Sequence, residues 1–166
     1  MEKDLFSVRK HARLKEYDYS QNGCYFVTIC VKNKKPILSR VIVGRDAHIP
    51  PKIVLSQYGK IVEFYINNIE KVYSDVKLDN YIIMPTHIHI LLTISDYVSG
   101  GMRASRPTNL CTIVRSMKTL VTKEIGKAIW QSSFYEEIIK SDKHYQRCLE
   151  YIEYNALKEH PNKFLV

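Results

Sequence analysis

The sequence lacks several features that would place it in common functional classes. Its four cysteines form no C-x-x-C pair, which argues against a structural zinc site or a dithiol redox motif. There is no P-loop, and no apolar run approaches the roughly 18 residues that a membrane span needs. The amino-terminal residues have no apolar core of the signal-peptide type. We therefore expect a cytoplasmic protein with free thiols that does not contact a membrane.

Acidic residues are scarce relative to basic ones. The 166 residues include 25 Lys and Arg but only 17 Asp and Glu, which gives a formal net charge of +8. This excess favours a polyanionic partner, nucleic acid ahead of an anionic membrane, although many basic domains bind neither. The length is that of one domain. The 12 tyrosines are candidates for stacking on unpaired bases or for nucleophilic attack.

The stretch Tyr81–Ile94, read as YIIMPTHIHILLTI, is the most informative part of the chain. Pro85 is unlikely to lie inside a central strand, so we predict a strand on each side of a tight turn at this proline. Side chains alternate across a strand, which places His87 and His89 on one face and an aliphatic row on the other. Two neutral imidazoles at this spacing can bind one divalent ion, although a His-x-His pair alone is more often structural.

The remaining predicted elements complete an α+β domain over residues 23–166, preceded by a basic arm at 1–22. Strands are predicted over 23–31, 76–84, 87–94 and 134–140, and helices over 56–72, 109–125 and 142–159. Residues 37–55 are predicted to form a loop with room for one short strand, and residues 95–107 a flexible basic loop. This order is the ferredoxin-like β-α-β-β-α-β arrangement followed by a final helix. We expect an antiparallel sheet with helices on one face and the His pair on the other, free face.

The final predicted helix carries a tyrosine outside its apolar stripe. At about 100° per residue, Tyr151 falls on the polar side, one turn before Asn155 and together with His144 and Arg147. An exposed tyrosine on an amphipathic helix is most often a plain surface residue. The periodicity alone therefore leaves both interpretations of Tyr151 open, nucleophile and surface residue.

Three segments resemble one protein family. MPTHIHILL is similar to the M-P-N-H-x-H-hydrophobic signature of the single-tyrosine HUH transposases, and in particular of the REP-associated tyrosine transposases. NGCYFVTICVKNKKPIL resembles the first strand of this family, and IWQSSFYEEIIKSDKHYQRCLEYIEYNALK its W-Q and Y-I-x-x-N-P blocks. The resemblance spans about residues 17–160. It implies a ferredoxin-like, metal-dependent enzyme that cuts and rejoins single-stranded DNA at hairpins without ATP.

The resemblance also implies roles for individual residues. Tyr151 would be the nucleophile that forms a 5′-phosphotyrosine, and His87, His89 and Asn155 would hold a Mg²⁺ or Mn²⁺ ion. Glu137 stands where the family usually has a histidine, and it is a further candidate oxygen ligand. The candidate contacts for DNA phosphates are Arg103, Arg106, Arg115 and Lys118.

Some alternatives stay open. The departure at Glu137 leaves room for a domesticated relative that binds hairpin DNA but cuts it weakly or not at all, whereas those at Thr86 and Ala156 are expected to be tolerated. An RNA-binding domain of the same architecture would instead require aromatic residues at the centre of the free face. Related transposases occur as dimers, so a homodimer is a further expectation.

Overall fold

The computed structural model describes residues 17–42, 51–95 and 108–158, with side chains as far as residue 154. The strands and helices in these residues are β1 Gly23–Cys30, β2 Ser39–Ile42, β3 Lys52–Leu55, α1 Gln57–Asn67, α2 Ile69–Val72, β4 Val76–Ile83, β5 His87–Ile94, α3 Leu110–Ile125, β6 Tyr135–Ile139 and α4 Asp142–Lys158. Apart from the β2–β3 pair, the order is the predicted strand-helix-strand-strand-helix-strand with a final helix. The mixed α+β class and the antiparallel sheet are therefore confirmed.

Four strands form one antiparallel sheet in the order β4-β5-β1-β6. β1 pairs with β5 along its whole length, from Gly23 opposite Ile94 to Cys30 opposite His87. Alternation gives this sheet two faces of different character. The more apolar face receives α1 and α3 and forms the main core, whose sheet residues include Tyr25, Val27, Ile29, Ile88, Ile90 and Leu92.

The opposite face of the sheet, which we expected to be free, is partly covered by α4. Phe26 and Leu91 reach this face from β1 and β5 and pack against Cys148 and Ile152 of α4 in a second apolar cluster. All four side chains are at most 3% exposed. The expectation of a free face is therefore wrong, because the apolar stripe of α4 has an apolar patch of the sheet to bury.

Two predicted elements differ in detail from the structure. The segment 37–55 contributes two short strands, β2 and β3, which pair in a small separate sheet. The helix predicted over 56–72 is interrupted between α1 and α2 at Asn68. Adjacent asparagines explain this interruption, because asparagine has a low helix propensity and competes for backbone hydrogen bonds.

The described part of the predicted arm belongs to the core. Tyr19 is 6% exposed, and its hydroxyl donates to the buried Glu136 carboxylate at 2.6 Å. Beside it, the hydroxyl groups of Tyr17 and Tyr25 are hydrogen-bonded to each other at 3.1 Å. The packed domain thus begins at or before Tyr17 rather than at Gly23, and residues 1–16 of the predicted arm lie outside the described residues.

Two general expectations can be compared with the described residues. All four cysteines are free thiols, as predicted. Among the described helices, none is both long and apolar enough to cross a bilayer.

Candidate nucleotidyl-transfer site

The β4–β5 hairpin and β1 together position the histidine pair. The backbone N–H of Met84 donates to the His87 carbonyl at 2.9 Å, which closes a tight turn over Pro85 and Thr86. His89 lies opposite Thr28 of β1 in the sheet register. Both histidines therefore lie on the face that α4 covers, at the end of the sheet where β5 begins.

The two imidazoles face each other through their Nε2 atoms, which are 3.1 Å apart. Their Nδ1 atoms are each hydrogen-bonded to a hydroxyl, with Thr86 Oγ1 2.9 Å from His87 and Thr28 Oγ1 2.8 Å from His89. These threonines fix the ring orientations and leave both Nε2 atoms directed at one point. In the absence of an ion, one ring must donate its Nε2 proton to the other.

Both histidines are neutral at neutral pH. Burial, with a smaller contribution from the positive charge of Lys34, lowers the pKa of His87 to about 4. Burial and the adjacent His87 lower the pKa of His89 well below its usual range. A neutral imidazole keeps the nitrogen lone pair that a metal ion requires, so the folded protein presents both rings in the ligand form.

The lowered pKa of His87 predicts a loss of stability in acid. Between pH 6.5 and about 4, the unfolded chain binds a proton at His87 that the folded chain does not. The free energy of unfolding should therefore fall as pH falls through this window, by on the order of 2–3 kcal/mol at pH 4.5. Urea unfolding in EDTA at several pH values measures this, with the His87→Gln variant as reference. Parallel wild-type and variant stability curves would contradict the expectation.

Tyr151 lies against this histidine pair. Its ring centroid is 5.2 Å from that of His89, at an interplanar angle of 77°. Phe26 stacks on His89 at 5.1 Å and meets Tyr151 edge-on at 5.9 Å. Because α4 is anchored through Cys148 and Ile152, the tyrosine is half-buried beside the histidines rather than turned to solvent.

Glu137 lies apart from the histidine pair. It is opposite Phe26 on β6, and its Oε1 is 3.1 Å from His144 Nε2 on α4. Its other oxygen, Oε2, is buried and has no hydrogen-bond partner among the described residues. Among the described residues, no three His, Cys, Asp or Glu side chains are grouped closely enough to hold a metal ion. Glu137 therefore joins β6 to α4 and does not complete a ligand set with His87 and His89.

Several known proteins are similar to this chain. No protein-family model matches the chain. A Haemophilus influenzae protein of uncharacterized function is 31% identical over 166 residues, which cover 90% of this chain and 88% of the relative. Another protein of that organism, named as a candidate REP-associated tyrosine transposase, is 25% identical over 157 residues, or 85% of this chain and 74% of the relative.

A solved structure has the same fold. It is that of a REP-associated tyrosine transposase bound to a REP hairpin, and it matches with a TM-score of 0.59 at 18% identity, over 90% of this chain and 74% of the solved one. The chain is therefore similar in fold to a REP-associated tyrosine transposase.

The third predicted ligand, Asn155, lies near the end of α4. The helix runs to Lys158, so the backbone of Asn155 is one helical turn beyond Tyr151. Its side chain lies outside the described ones. Its role as an amide ligand stays a prediction.

Two of the predicted phosphate contacts, Arg115 and Lys118, are not at the histidine pair. Arg115 and Lys118 belong to α3, on the opposite face of the sheet, where they line an open groove of about 790 Å³. The Lys118 ammonium donates to the backbone carbonyls of Gln131 and Ser132 at 2.7 and 3.1 Å. Lys118 thus holds the segment before β6, and the sequence pattern overlooked this role. Arg103 and Arg106 lie outside the described residues.

Thr28 and Phe26 are site residues that the sequence analysis did not identify. They alternate with buried residues along β1, so period-two alternation places them on one face. Only the pairing of β1 with β5 places that face beside His89. The available signal was the alternation of the strand, and the missing information was its register.

Proposed function

We propose that this protein is a REP-associated tyrosine transposase that cuts and rejoins single-stranded DNA at hairpins, with a divalent metal ion and a covalent 5′-phosphotyrosine intermediate. The observation that carries the proposal is the contact of the Tyr151 ring with His89, 5.2 Å between centroids, where His89 and His87 converge through their Nε2 atoms. A nucleophile beside a neutral two-nitrogen ligand pair is what metal-assisted phosphodiester transfer requires.

The donor set is compatible with a divalent ion. The Nε2 atoms are 3.1 Å apart, close enough for both to bind one divalent ion. His87 and His89 would hold the ion, and Asn155 is the proposed third ligand. Mn²⁺ suits imidazole better than Mg²⁺, which prefers oxygen ligands. The bound ion would neutralise phosphate charge and orient the scissile phosphodiester.

The chain's own residues would carry the transfer. The Tyr151 hydroxyl oxygen attacks phosphorus, the phosphorus–3′-oxygen bond breaks, and the phenol proton is balanced by protonation of the released 3′-oxygen. The products are a 5′-phosphotyrosine and a free 3′-hydroxyl. Attack by a 3′-hydroxyl reverses the step and joins two strands, so no ATP is consumed. Phe26, stacked on His89 and packed against Tyr151, would hold both rings and exclude water.

A gel assay tests the proposal. The protein is incubated with labelled single-stranded hairpin oligonucleotides from repeats that flank its own gene, with Mn²⁺, with Mg²⁺ or with EDTA. We expect a metal-dependent nick and a covalent protein–DNA adduct that survives SDS. Equal affinity for RNA and DNA hairpins without any metal dependence would contradict the proposal.

A hairpin-DNA-binding protein without cutting activity is the second candidate function. The pairing of Glu137 with His144 favours it, because this carboxylate stands where the resemblance expects a histidine and is engaged with α4 instead. Tight hairpin binding with no nick under any metal would support this function. The Glu137→His variant would then be tested for restored nicking.

Thr28 provides a test of the ligand pair itself. The Thr28→Val variant keeps the shape of the side chain but removes the hydroxyl 2.8 Å from His89 Nδ1. Such outer partners of metal-bound histidine typically contribute about 10–100-fold in metal affinity. We expect the Mn²⁺ concentration for half-maximal nicking to rise by that factor, with maximal nicking less affected. The matched control is Thr119→Val, whose hydroxyl donates to the Arg115 carbonyl on α3. An unchanged Mn²⁺ requirement in Thr28→Val would count against the metal role of His89.

A further inference from the structure

The turn that follows β1 presents a group of lysines at the end of the sheet that holds His87. A single 3₁₀ turn spans Lys32–Lys34, and Lys32, Lys34 and Lys35 are all exposed. The turn is tied to the residues before His87, since the backbone N–H of Val31 donates to the Thr86 carbonyl at 2.8 Å. The lysines therefore have a defined position next to the histidine pair.

The backbone of this turn is strained. Asn33 and Lys34 have positive φ angles of 57° and 49°, and they are the only non-glycine residues with positive φ among those the structure describes. Asparagine adopts this left-handed conformation readily, but lysine does so at a cost. The conformation is held by the Lys34 N–H, which donates to the Val31 carbonyl at 3.0 Å. Strain of this kind is concentrated at functional positions.

A fourth lysine lies across a small recess from the turn. The recess has a volume of about 280 Å³ and is lined by Lys32, Asn33, Lys35 and Lys127 together with apolar side chains. None of the described residues that line it is acidic. The Lys127 ammonium lies 4.8 Å above the Tyr58 ring, which restrains it there. None of the four lysines forms an ion pair within the described part of the chain. The surface therefore offers uncompensated positive charge to a ligand.

The sheet register also places the lysine group next to the site. Cys30, two residues before Lys32, lies opposite His87.

We propose that Lys32, Lys34, Lys35 and Lys127 bind backbone phosphates of the single-stranded DNA next to the scissile phosphodiester, and so hold that strand across the histidine pair. This inference rests on the proposed function and deepens it. Because the four lysines are proposed to contact phosphates and not base edges, their contribution should be independent of base sequence.

The salt dependence of DNA binding tests the inference. We compare a triple variant of the turn, Lys32→Gln with Lys34→Gln and Lys35→Gln, with a control of equal charge, Lys52→Gln with Lys60→Gln and Lys71→Gln. The control lysines are equally exposed and lie on β3, α1 and α2. Each lost single-strand phosphate contact changes the slope of log affinity against log salt by about 0.7. Compared with the wild type, we expect the magnitude of this slope to be about 2 smaller in the turn variant. The control variant should show little change.

Replacing single DNA phosphates by uncharged analogues shows which phosphates the lysines contact. Oligonucleotides in which single phosphates near the cleavage position are methylphosphonates should bind the wild type and the control less well. The turn variant should show no further loss at the same positions, since its partner lysines are gone. Equal slopes for both triple variants, or undiminished methylphosphonate effects in the turn variant, would overturn the inference. Absence of DNA binding by the wild type would instead overturn the proposed function.

Lys34→Gly separates binding from folding. Glycine tolerates positive φ, so this change should leave the melting temperature unchanged or raise it while weakening DNA binding several-fold. Loss of affinity together with loss of thermal stability, or retained affinity, would argue against the role of Lys34.

Discussion

We expect the Tyr151→Phe variant to form no covalent adduct with hairpin DNA and to nick it at least about 10³-fold more slowly than the wild type. The substitution removes one oxygen atom and leaves the ring. The contacts of that ring with His89 and Phe26, at centroid distances of 5.2 and 5.9 Å, are apolar and should persist. The folding of α4 and the affinity for DNA should therefore be nearly unchanged.

Tyr154→Phe is the matched control for this experiment. Tyr154 is on the same helix, about 60° around it from Tyr151 by the helical repeat, but its side chain is 52% exposed. Loss of the adduct in Tyr151→Phe but not in Tyr154→Phe, in denaturing gels with Mn²⁺, would identify the nucleophile. Undiminished nicking by Tyr151→Phe would refute the proposed mechanism, whatever the control does.

The histidine pair was the part of the site most accessible from the sequence. Once residues 87–94 are assigned to a strand, period-two alternation places both histidines on one face. The aliphatic row on the other face indicates that strand. The 3.1 Å approach of the Nε2 atoms was not predictable in the same way. It depends on the hydroxyls of Thr28 and Thr86, and Thr28 belongs to a strand whose register the sequence does not reveal.

The placement of Tyr151 shows the limit of helix periodicity. A helical wheel gives the angle between a side chain and the apolar stripe, but it does not say which element the stripe packs against. We expected α4 to leave the histidine face open, and instead its Cys148 and Ile152 cover Phe26 and Leu91 there. Tyr151, at the edge of that contact, becomes half-buried beside His89 instead of projecting into water.

Charged residues were the hardest to interpret from sequence alone. Lys118 was expected to contact phosphates, yet its ammonium donates to two backbone carbonyls before β6. The sequence analysis gave no role to the lysines of the turn after β1, and that turn lies beside His87. A lysine side chain has no periodic constraint, so its partners are decided by tertiary packing that pattern analysis does not contain.

Gly59 should be the position on α1 least tolerant of substitution. An added Cβ would lie 2.1 Å from the Leu38 carbonyl oxygen and 3.3 Å from the Leu55 Cβ. In most helices a Gly→Ala change stabilises the protein by up to about 1 kcal/mol, because alanine has the higher helix propensity. At Gly59 the steric clash of the added Cβ acts in the opposite direction. We expect Gly59→Ala to lower the free energy of unfolding by about 3 kcal/mol or more, measured by urea unfolding.

The contact at Gly59 matters because it supports the site. The Leu38 carbonyl already accepts from Ser56 at 2.9 Å, and the Leu38 N–H donates to the Pro85 carbonyl at 3.1 Å, directly before the histidines. Displacing α1 from Leu38 should therefore disturb the Pro85 turn. Gly126→Ala is the control, because its φ is +77° but nothing lies within 4 Å of the added Cβ; it should cost only about 1 kcal/mol from backbone strain. If Gly59→Ala lowers the free energy of unfolding no more than Gly126→Ala does, then α1 is not in close contact with Leu38. In that case the helix does not stabilise the turn that precedes the histidines.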